Sequence, residues 1–131
     1  GYIPVLAHPE RLELFQNTPT ILNDFVDRGM LTQFTAGSIL GLFGRKAKIL
    51  TEKYLKSGLV HTFASDTHTP TGPRSPILST AFNNVSNSYG QDIALRMFST
   101  NPKSIIEGTS DTAEFTISMP KHKGKINWKF W

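Results

Sequence analysis

The side chains best suited to chemistry in this sequence lie in two short stretches, each directly after an apolar run. His8, Glu10 and Arg11 follow the first run, and Asp66 and His68 follow a later one. Imidazole and carboxylate groups together suit zinc, manganese or iron. A guanidinium binds phosphate oxygens through paired hydrogen bonds. These residue types therefore indicate a metal site beside a phosphate site.

Asp66 and His68 are separated by a single residue. If this segment is extended, both side chains point to the same side of the chain and can converge on one ion. The alternative is a loop Asp that caps a turn, next to an exposed His. His8 has a similar alternative, as a histidine at a helix entry before Pro9. Because both motifs follow predicted strands, we favour a shared metal site.

Arg11 and Arg74 lie near these ligands in the sequence and are the candidates for holding a phosphate group. Alternatively, Arg11 forms an ion pair with Glu13 or with another carboxylate, and Arg74 is a solvated loop residue. We assign no chemical role to Glu10, because it could pair only awkwardly with its neighbour Arg11. We interpret His61 as a packed polar residue rather than a ligand.

The elements that must position these side chains alternate between strand and helix. Apolar, β-branched stretches predict strands at residues 2–7, 31–36 and 59–64. The first has the composition of a strand buried on both faces. Helical spacing predicts helices around residues 21–26, 45–56, 77–88, 91–99 and 101–107. This α/β alternation predicts about three parallel strand–helix units, with reactive residues at the carboxyl ends of the strands.

Local signals mark where several elements end. Thr18 is a candidate cap for the first helix, and Gly29 is a candidate stop. Gly37 and Ser38 end the second strand, where a missing side chain would let the loop backbone approach a ligand. We expect residues 39–44 to form a flexible connection.

Composition excludes several classes of protein. The 131 residues are 38% hydrophobic, which argues against intrinsic disorder, and no apolar run approaches the roughly 20 residues of a membrane helix. The absence of cysteine excludes a Cys nucleophile and thiolate metal sites. Four lysines and no acidic residue lie in the last twelve positions, so the net charge of +4 belongs to a tail. We therefore predict no nucleic-acid partner.

That tail begins after the predicted main domain, which covers residues 1–108. Residues 109–131 form a basic, aromatic segment with one possible strand at 114–119. The aromatic residues at its end, Trp128, Phe130 and Trp131, are expected to dock on the body of the protein or on a partner chain. A stacking platform for nucleic acid would need several aromatics in a basic groove.

Three motifs together resemble one family. They are YIPVLAHPER at residues 2–11, FTAGSILG at 34–41, and the stretch from GLVH to ASDTH within 58–68. In order and spacing they are similar to those of the capsule-type (CpsB/CapC-like) metal-dependent bacterial protein-tyrosine phosphatases of the polymerase-and-histidinol-phosphatase (PHP) superfamily. The resemblance covers roughly residues 1–100.

The resemblance implies a distorted, TIM-like (β/α)7 barrel with a cluster of metal ions, commonly manganese, with zinc or iron as alternatives. By motif, it makes His8, Asp66 and His68 metal ligands, and Arg11 and Arg74 phosphate-binding residues. It also implies hydrolysis of phosphotyrosine in a partner protein, such as a bacterial tyrosine kinase, a role in capsule or exopolysaccharide regulation, and a cytoplasmic location.

The family's early His-x-His motif and its middle His and Glu ligands have no counterpart here, so the match is to a carboxyl-terminal portion. Three hypotheses follow. The chain is part of an active phosphatase; or it is a catalytically incomplete module that forms a homo-oligomer or pairs with another chain; or it belongs to a small-molecule phosphoesterase of the same superfamily. We expect the 131-residue chain alone to show little manganese-stimulated hydrolysis of phosphotyrosine peptides.

Overall fold

Three parallel strands form the sheet of this protein in a computed structural model that describes residues 2–72, 74–108, 115, 117 and 119. The strands are β1 (Val5–Ala7), β2 (Leu31–Thr35) and β3 (Thr62–Ala64), in the spatial order β1-β2-β3. Val5 pairs with Leu31, and Thr35 pairs with Ala64. The prediction of parallel strands is confirmed. The carboxyl ends of the three strands therefore lie at the same end of the sheet.

Seven α-helices accompany the sheet in the described part of the chain: α1 (Glu13–Asn17), α2 (Ile21–Asp27), α3 (Ala36–Ile39), α4 (Arg45–Lys56), α5 (Leu78–Tyr89), α6 (Gln91–Leu95) and α7 (Asn101–Glu107). A 3-10 turn covers Pro9–Arg11, and a π-helical turn covers Arg96–Thr100. The helices predicted at 45–56 and 101–107 have the predicted bounds. The helix predicted at 77–88 is shifted by one residue, and the one at 91–99 is divided between α6 and the π turn.

Helix α4 packs its apolar stripe into the core, as its spacing predicted. Leu50, Tyr54 and Leu55 are fully buried, and the helix is followed by Gly58 in the left-handed region at φ 71°. The Tyr54 hydroxyl lies 3.0 Å from the carbonyl oxygen of Pro19, to which it donates a hydrogen bond. This bond fixes the connection between α1 and α2 against α4.

Two predictions about element ends give different results. Thr18 does not cap α2, because that helix begins after Thr20, which makes no side-chain cap. Thr18 instead ends α1, and its carbonyl oxygen accepts a hydrogen bond of 3.1 Å from the Ile21 N–H. Gly29 lies two residues beyond α2 at φ 86°, so the predicted stop is confirmed.

The expected loop at Gly37 and Ser38 is wrong. Helix α3 begins directly after β2, and both residues are buried within it, together with Ala36 and Ile39. The apolar pair at Ala36 and Ile39 gains more from burial in a helical turn than an open loop would provide. Gly37 therefore lies inside a packed turn, and the predicted connection starts at residue 40.

The prediction that the first strand is buried on both faces is also wrong. Only Val5–Ala7 is in β1, Val5 is 38% exposed, and Tyr2 is fully exposed. In the part of the chain that the structure describes, β1 pairs with β2 alone and is an edge strand. The amino-acid composition of a segment indicates that the strand is apolar. It does not indicate whether that strand is central or at an edge of the sheet.

The third strand is shorter than predicted, because side chains replace ladder hydrogen bonds at its start. The N–H of Thr32 donates to the ring Nδ1 of His61 at 3.0 Å, and the His61 N–H donates to the Thr32 hydroxyl at 3.2 Å. The Thr32 hydroxyl in turn donates to the Leu59 carbonyl oxygen. Leu59, Val60 and His61 are therefore buried beside β2 without being part of β3.

The core lies between the sheet and the helices and includes residues from the segment predicted as a strand at 114–119. Phe115 is 1% exposed, and Ile117 is 5% exposed and packs in the core cluster. Neither they nor Met119 lie in a strand. The other residues of that segment, and the aromatic residues Trp128, Phe130 and Trp131, lie outside the described residues. No helix among the described residues has the length and apolar character that crossing a membrane requires.

Candidate metal and phosphate site

Two of the predicted ligands have an uncommon backbone conformation. His8 has φ 42° and Asp66 has φ 51°, and they are the two non-glycine residues with positive φ among those described. His8 follows β1 and Asp66 follows β3 at the same edge of the sheet. Such conformations are costly for side-chain-bearing residues and are found preferentially at functional sites.

The Asp66 carboxylate brings the two predicted arginines together. Arg11 Nη1 lies 2.5 Å and Arg74 Nη2 lies 2.9 Å from the same oxygen, Asp66 Oδ2. Arg11 thus forms an ion pair with another carboxylate, as one alternative had it, but this carboxylate is Asp66 and not its sequence neighbour Glu13, whose side chain accepts a bond from Asn17. Residues from the ends of β1 and β3 therefore converge on one carboxylate.

Opposing effects act on the ionisation of Asp66. Burial would raise the pKa of this carboxyl group, but hydrogen bonds from Arg11 and Arg74, together with their charges, outweigh that effect and lower the pKa below its ordinary value. The side chain is 18% exposed. Asp66 is therefore negatively charged at neutral pH and balances two positive charges.

His68 is held between Asp66 and Arg74. Its Nε2 lies 3.0 Å from Arg74 Nη2, and its Nδ1 lies 2.8 Å from the Asp66 carbonyl oxygen. Because a guanidinium can only donate, Nε2 is the acceptor and Nδ1 carries the proton that is donated to the carbonyl. The extended backbone that would place Asp66 and His68 on one side of the chain is not observed, because Asp66 is left-handed. The two side chains are still neighbours, since His68 Nδ1 lies 3.7 Å from Asp66 Oδ1.

The donors present have the right chemistry for a divalent metal. His8 Nδ1 is buried and has no hydrogen-bond partner in the structure, which leaves one imidazole nitrogen available as a ligand. Asp66 and His68 add a carboxylate and a second imidazole. Within residues 2–72 and 74–108 and the three further described positions, however, no group of three or more His, Asp or Glu is gathered closely enough to hold an ion.

An aromatic residue that the sequence analysis did not single out also contacts the site. The guanidinium carbon of Arg11 lies 4.4 Å from the centroid of the Phe43 ring, in a cation–π arrangement. Phe43 lies in the connection between α3 and α4, between Gly41 and Gly44, which both have positive φ. The two glycines were the available sequence signal of a tight, shaped connection here.

Glu10, to which we assigned no role, is the most buried charged residue of the site. It is fully inaccessible, and its Oε1 accepts hydrogen bonds from the Thr35 N–H at 3.0 Å and from the Ser38 hydroxyl at 2.7 Å. Burial raises the pKa of this carboxyl group, against the opposing effect of the hydrogen bonds from Ser38 and Thr35. Its partners are 25 and 28 residues away in the sequence, so a comparison with its neighbour Arg11 could not identify them.

His61 is a packed polar residue, as predicted. It is 4% exposed, its ring accepts a hydrogen bond from Thr32, and its carbonyl oxygen accepts one of 2.7 Å from Asn101. Burial lowers the pKa of His61 to about 4, so the ring is neutral at neutral pH.

The chain is similar to proteins of one bacterial family. A family model described as "Capsular polysaccharide synthesis, CpsB/CapC" matches residues 1–107. Tyrosine-protein phosphatase YwqE of Bacillus subtilis is 41% identical over 68 residues, which are 52% of this chain and 27% of YwqE. Tyrosine-protein phosphatase CpsB of Streptococcus pneumoniae is 32% identical over 111 residues, which are 81% of this chain and 45% of CpsB.

A solved structure supports the same relation. It is described as YwqE from Bacillus subtilis and CpsB from Streptococcus pneumoniae, unique metal-dependent tyrosine phosphatases. It matches with a TM-score of 0.65 and 30% identity, over 92% of this chain and 45% of the other. The chain spans less than half the length of these relatives. By the extent of the family match, this chain belongs to the CpsB/CapC family.

Proposed function

We propose that this member of the CpsB/CapC family carries the phosphate-binding residues and part of the metal ligands of a metal-dependent protein-tyrosine phosphatase. The observation that carries the proposal is the convergence of Arg11 and Arg74 on Asp66 at the carboxyl ends of the strands. Two guanidinium groups close to one another can bind the oxygens of a phosphate and stabilise the charge that develops during its transfer.

His8, Asp66 and His68 are the residues that would hold the metal, for which we propose manganese. A divalent ion held there would supply a water of lowered pKa as the nucleophile. It would also supply positive charge to balance the phosphate oxygens. Arg11 and Arg74 would orient the phosphate, and the ionised Asp66 keeps both guanidinium groups at the site. The ring of Phe43 also contacts the guanidinium of Arg11 and helps to keep it in place.

The openness of the site supports a substrate phosphate that is carried on a protein. The side chains of His68 and Arg74 are 54% and 37% exposed, so a phosphotyrosine projecting from a protein surface can reach them. A site for a small phosphorylated metabolite would enclose most of its ligand. We propose a bacterial tyrosine kinase as the partner, a role in capsule or exopolysaccharide regulation, and action in the cytoplasm.

The architecture around this site is part of the same proposal. The three parallel strands fit a portion of a distorted (β/α)7 barrel of the PHP type, with residues 1–108 as the phosphatase-type domain and 109–131 as a tail. Because the described residues gather no three-ligand group, further ligands must come from other chain segments for the site to be complete. Self-association to form a homo-oligomer is the alternative source of such segments.

The anion-binding part of the proposal can be tested on this chain directly. O-phosphotyrosine should bind to the chain in an isothermal titration, and Arg11→Met or Arg74→Met should weaken binding about tenfold or more, because each removes a charged hydrogen-bond donor. Arg28→Met is the matched control. Arg28 is exposed and lies between α2 and the start of β2, at the amino-terminal ends of the strands and therefore away from the site. Equal loss in all three variants, or in none, would contradict the proposal.

The catalytic part of the proposal requires a turnover measurement. We expect the 131-residue chain to hydrolyse phosphotyrosine peptides only slowly with added manganese. A chimaera in which residues 1–107 replace the matching portion of YwqE should turn over faster, and Asp66→Ala should abolish its activity while its circular dichroism spectrum is unchanged. A fully active Asp66→Ala chimaera would exclude the ligand role.

A further inference from the structure

We propose that Glu10 is a positioning residue that holds His8 and Arg11 at the end of β1. The proposal deepens the proposed function, because it explains how the two residues are kept in place for it. Glu10 lies in the 3-10 turn Pro9–Arg11, between the two residues that it would position, and it is fully inaccessible. Hydrogen bonds compensate the loss of contact with water at Oε1 of this carboxyl group, whereas Oε2 is buried and has no hydrogen-bond partner among the described residues.

The side chain of Glu10 connects this turn to the neighbouring strand–helix unit. Its Oε1 accepts hydrogen bonds from the N–H of Thr35, the last residue of β2, and from the hydroxyl of Ser38 in α3. Both donors are themselves buried. One carboxylate oxygen thus fixes the turn after β1 relative to the turn after β2.

Two hydrogen bonds to main-chain carbonyl oxygens also hold this turn in place. The Gln16 side-chain amide donates to the Glu10 carbonyl oxygen at 2.8 Å, and the His8 N–H donates to the Gln33 carbonyl oxygen at 2.7 Å. These bonds attach the turn to α1 and to β2. The Glu10 carboxyl group attaches the turn to α3, through the hydrogen bond from Ser38.

Both residues beside Glu10 depend on the position of this turn. His8 has the unfavourable φ of 42°, which persists only where the surrounding structure enforces it. Arg11 contacts both the Phe43 ring and the Asp66 carboxylate, and its Cα belongs to this turn, so the reach of its side chain to both partners depends on where the turn lies. Loss of the carboxylate would let the turn relax and would withdraw both side chains from the site.

The experiment uses the 131-residue chain labelled with ¹⁵N and ¹³C. The nuclear Overhauser effect between the Arg11 side chain and the Phe43 ring, and the His8 ring signals, report the two positions. Glu10→Ala should abolish the Arg11–Phe43 effect and shift the His8 signals. Glu10→Gln should keep both, because its amide oxygen can accept the same two hydrogen bonds. Ser38→Ala, which removes one donor, should weaken the effect.

Asn101→Ala is the matched control. Asn101 is also buried, and its side-chain amide donates a hydrogen bond to the His61 carbonyl oxygen, so loss of the side chain destabilises the protein without touching the turn. An Arg11–Phe43 effect that survives in folded Glu10→Ala, or that is lost equally in Asn101→Ala, would overturn the proposal. If Glu10→Ala does not fold, unchanged Arg11 and His8 signals in Ser38→Ala would overturn it.

A titration with inorganic phosphate separates this proposal from the proposed function. Where the wild-type chain binds phosphate, Glu10→Ala should bind it about tenfold more weakly, while Glu10→Gln and Asn101→Ala should bind as the wild type does. Unweakened binding by Glu10→Ala would overturn the positioning role. If the wild type does not bind phosphate, the proposed function loses its anion site, and the Arg11–Phe43 measurement still decides the role of Glu10.

Discussion

Asp66 shows how much of this site depends on single residues. It combines a left-handed backbone, an ionised carboxylate shared by Arg11 and Arg74, and a carbonyl oxygen that fixes the tautomer of His68. The backbone conformation carries a cost of about 1–3 kcal/mol that the rest of the loop must offset. The ion pairs are partly exposed, so they orient side chains more than they stabilise the fold.

The contact between Arg11 and Asp66 could be predicted from the sequence, because chain topology places both residues after parallel strands of the same sheet. Parallel strands bring their carboxyl ends to one edge, so residues after β1 and β3 had to be near each other. Glu10 and Phe43 could not be found in this way. Glu10 acts through Thr35 and Ser38, and the position of Phe43 depends on how the chain leaves α3, and neither relation has a periodic signal.

The buried His61 ring makes the stability of the protein depend on pH. Its pKa is about 4 in the folded state, against about 6.5 when unfolded, so the unfolded state takes up a proton first as pH falls. The stabilising effect of the neutral ring is complete above pH 6.5 and is lost progressively down to pH 4. Between pH 7 and 5 we expect a loss of about 2 kcal/mol in the free energy of unfolding from this residue.

His61→Asn isolates this contribution, because the Asn side chain can place an acceptor near the position of Nδ1 but does not titrate. Urea unfolding of both proteins at pH 7 and pH 5 gives the comparison. The wild type should lose about 2 kcal/mol more than His61→Asn over this interval. An equal loss in the two proteins would mean that the His61 ring is not kept neutral by burial.

At the scale of elements, the two longest helices, α4 and α5, were predicted more accurately than the strands. Helix α4 has the predicted bounds because its apolar spacing, its charged outer face and Gly58 are all local features. The burial and length of strands depend on their partners instead. Strand β1 is only half-buried because it is an edge strand, and β3 starts late because Thr32 and His61 bond through their side chains. The sequence predicted the order of elements, whereas packing determined their lengths.

Two glycines after helices offer a matched test of close packing. Gly58 and Gly29 each lie two residues beyond a helix, at φ 71° and 86°. A Cβ at Gly58 would lie 3.2 Å from the Ile117 carbonyl oxygen, whereas a Cβ at Gly29 would meet nothing within 4 Å. We expect Gly29→Ala to cost about 1 kcal/mol for its backbone conformation alone.

Gly58→Ala should cost about 1 kcal/mol more than Gly29→Ala, because it adds a steric conflict with main chain to the same conformational cost. Urea unfolding of both variants measures the difference. Equal costs would show that the segment around Ile117 can move away from α4 without loss of stability.

At the scale of the whole molecule, the family match and the core have different extents. The family model ends at residue 107, and the main domain was predicted to end at 108. The core continues further, since Phe115 and Ile117 are both buried. A boundary drawn from sequence similarity thus follows the residues that the relatives share, whereas the hydrophobic core includes side chains from beyond it.

The contribution of this later segment to stability can be measured by substitution. Phe115→Ala should lower the free energy of unfolding by about 3–5 kcal/mol, and Ile117→Ala by about 2–5 kcal/mol, because each removes a buried side chain and leaves a cavity. Leu14→Ala is the control, since Leu14 is 52% exposed and its loss should change stability by about 0.5 kcal/mol or less. Urea unfolding monitored by far-ultraviolet circular dichroism would report all three. Losses of less than about 1 kcal/mol in the free energy of unfolding at both buried positions would favour a tail that is independent of the domain at 1–108.

Losses of the expected size would show that this domain requires the segment after residue 108 to complete its core. A protein cut at residue 108 would then be destabilised even though every predicted site residue is present.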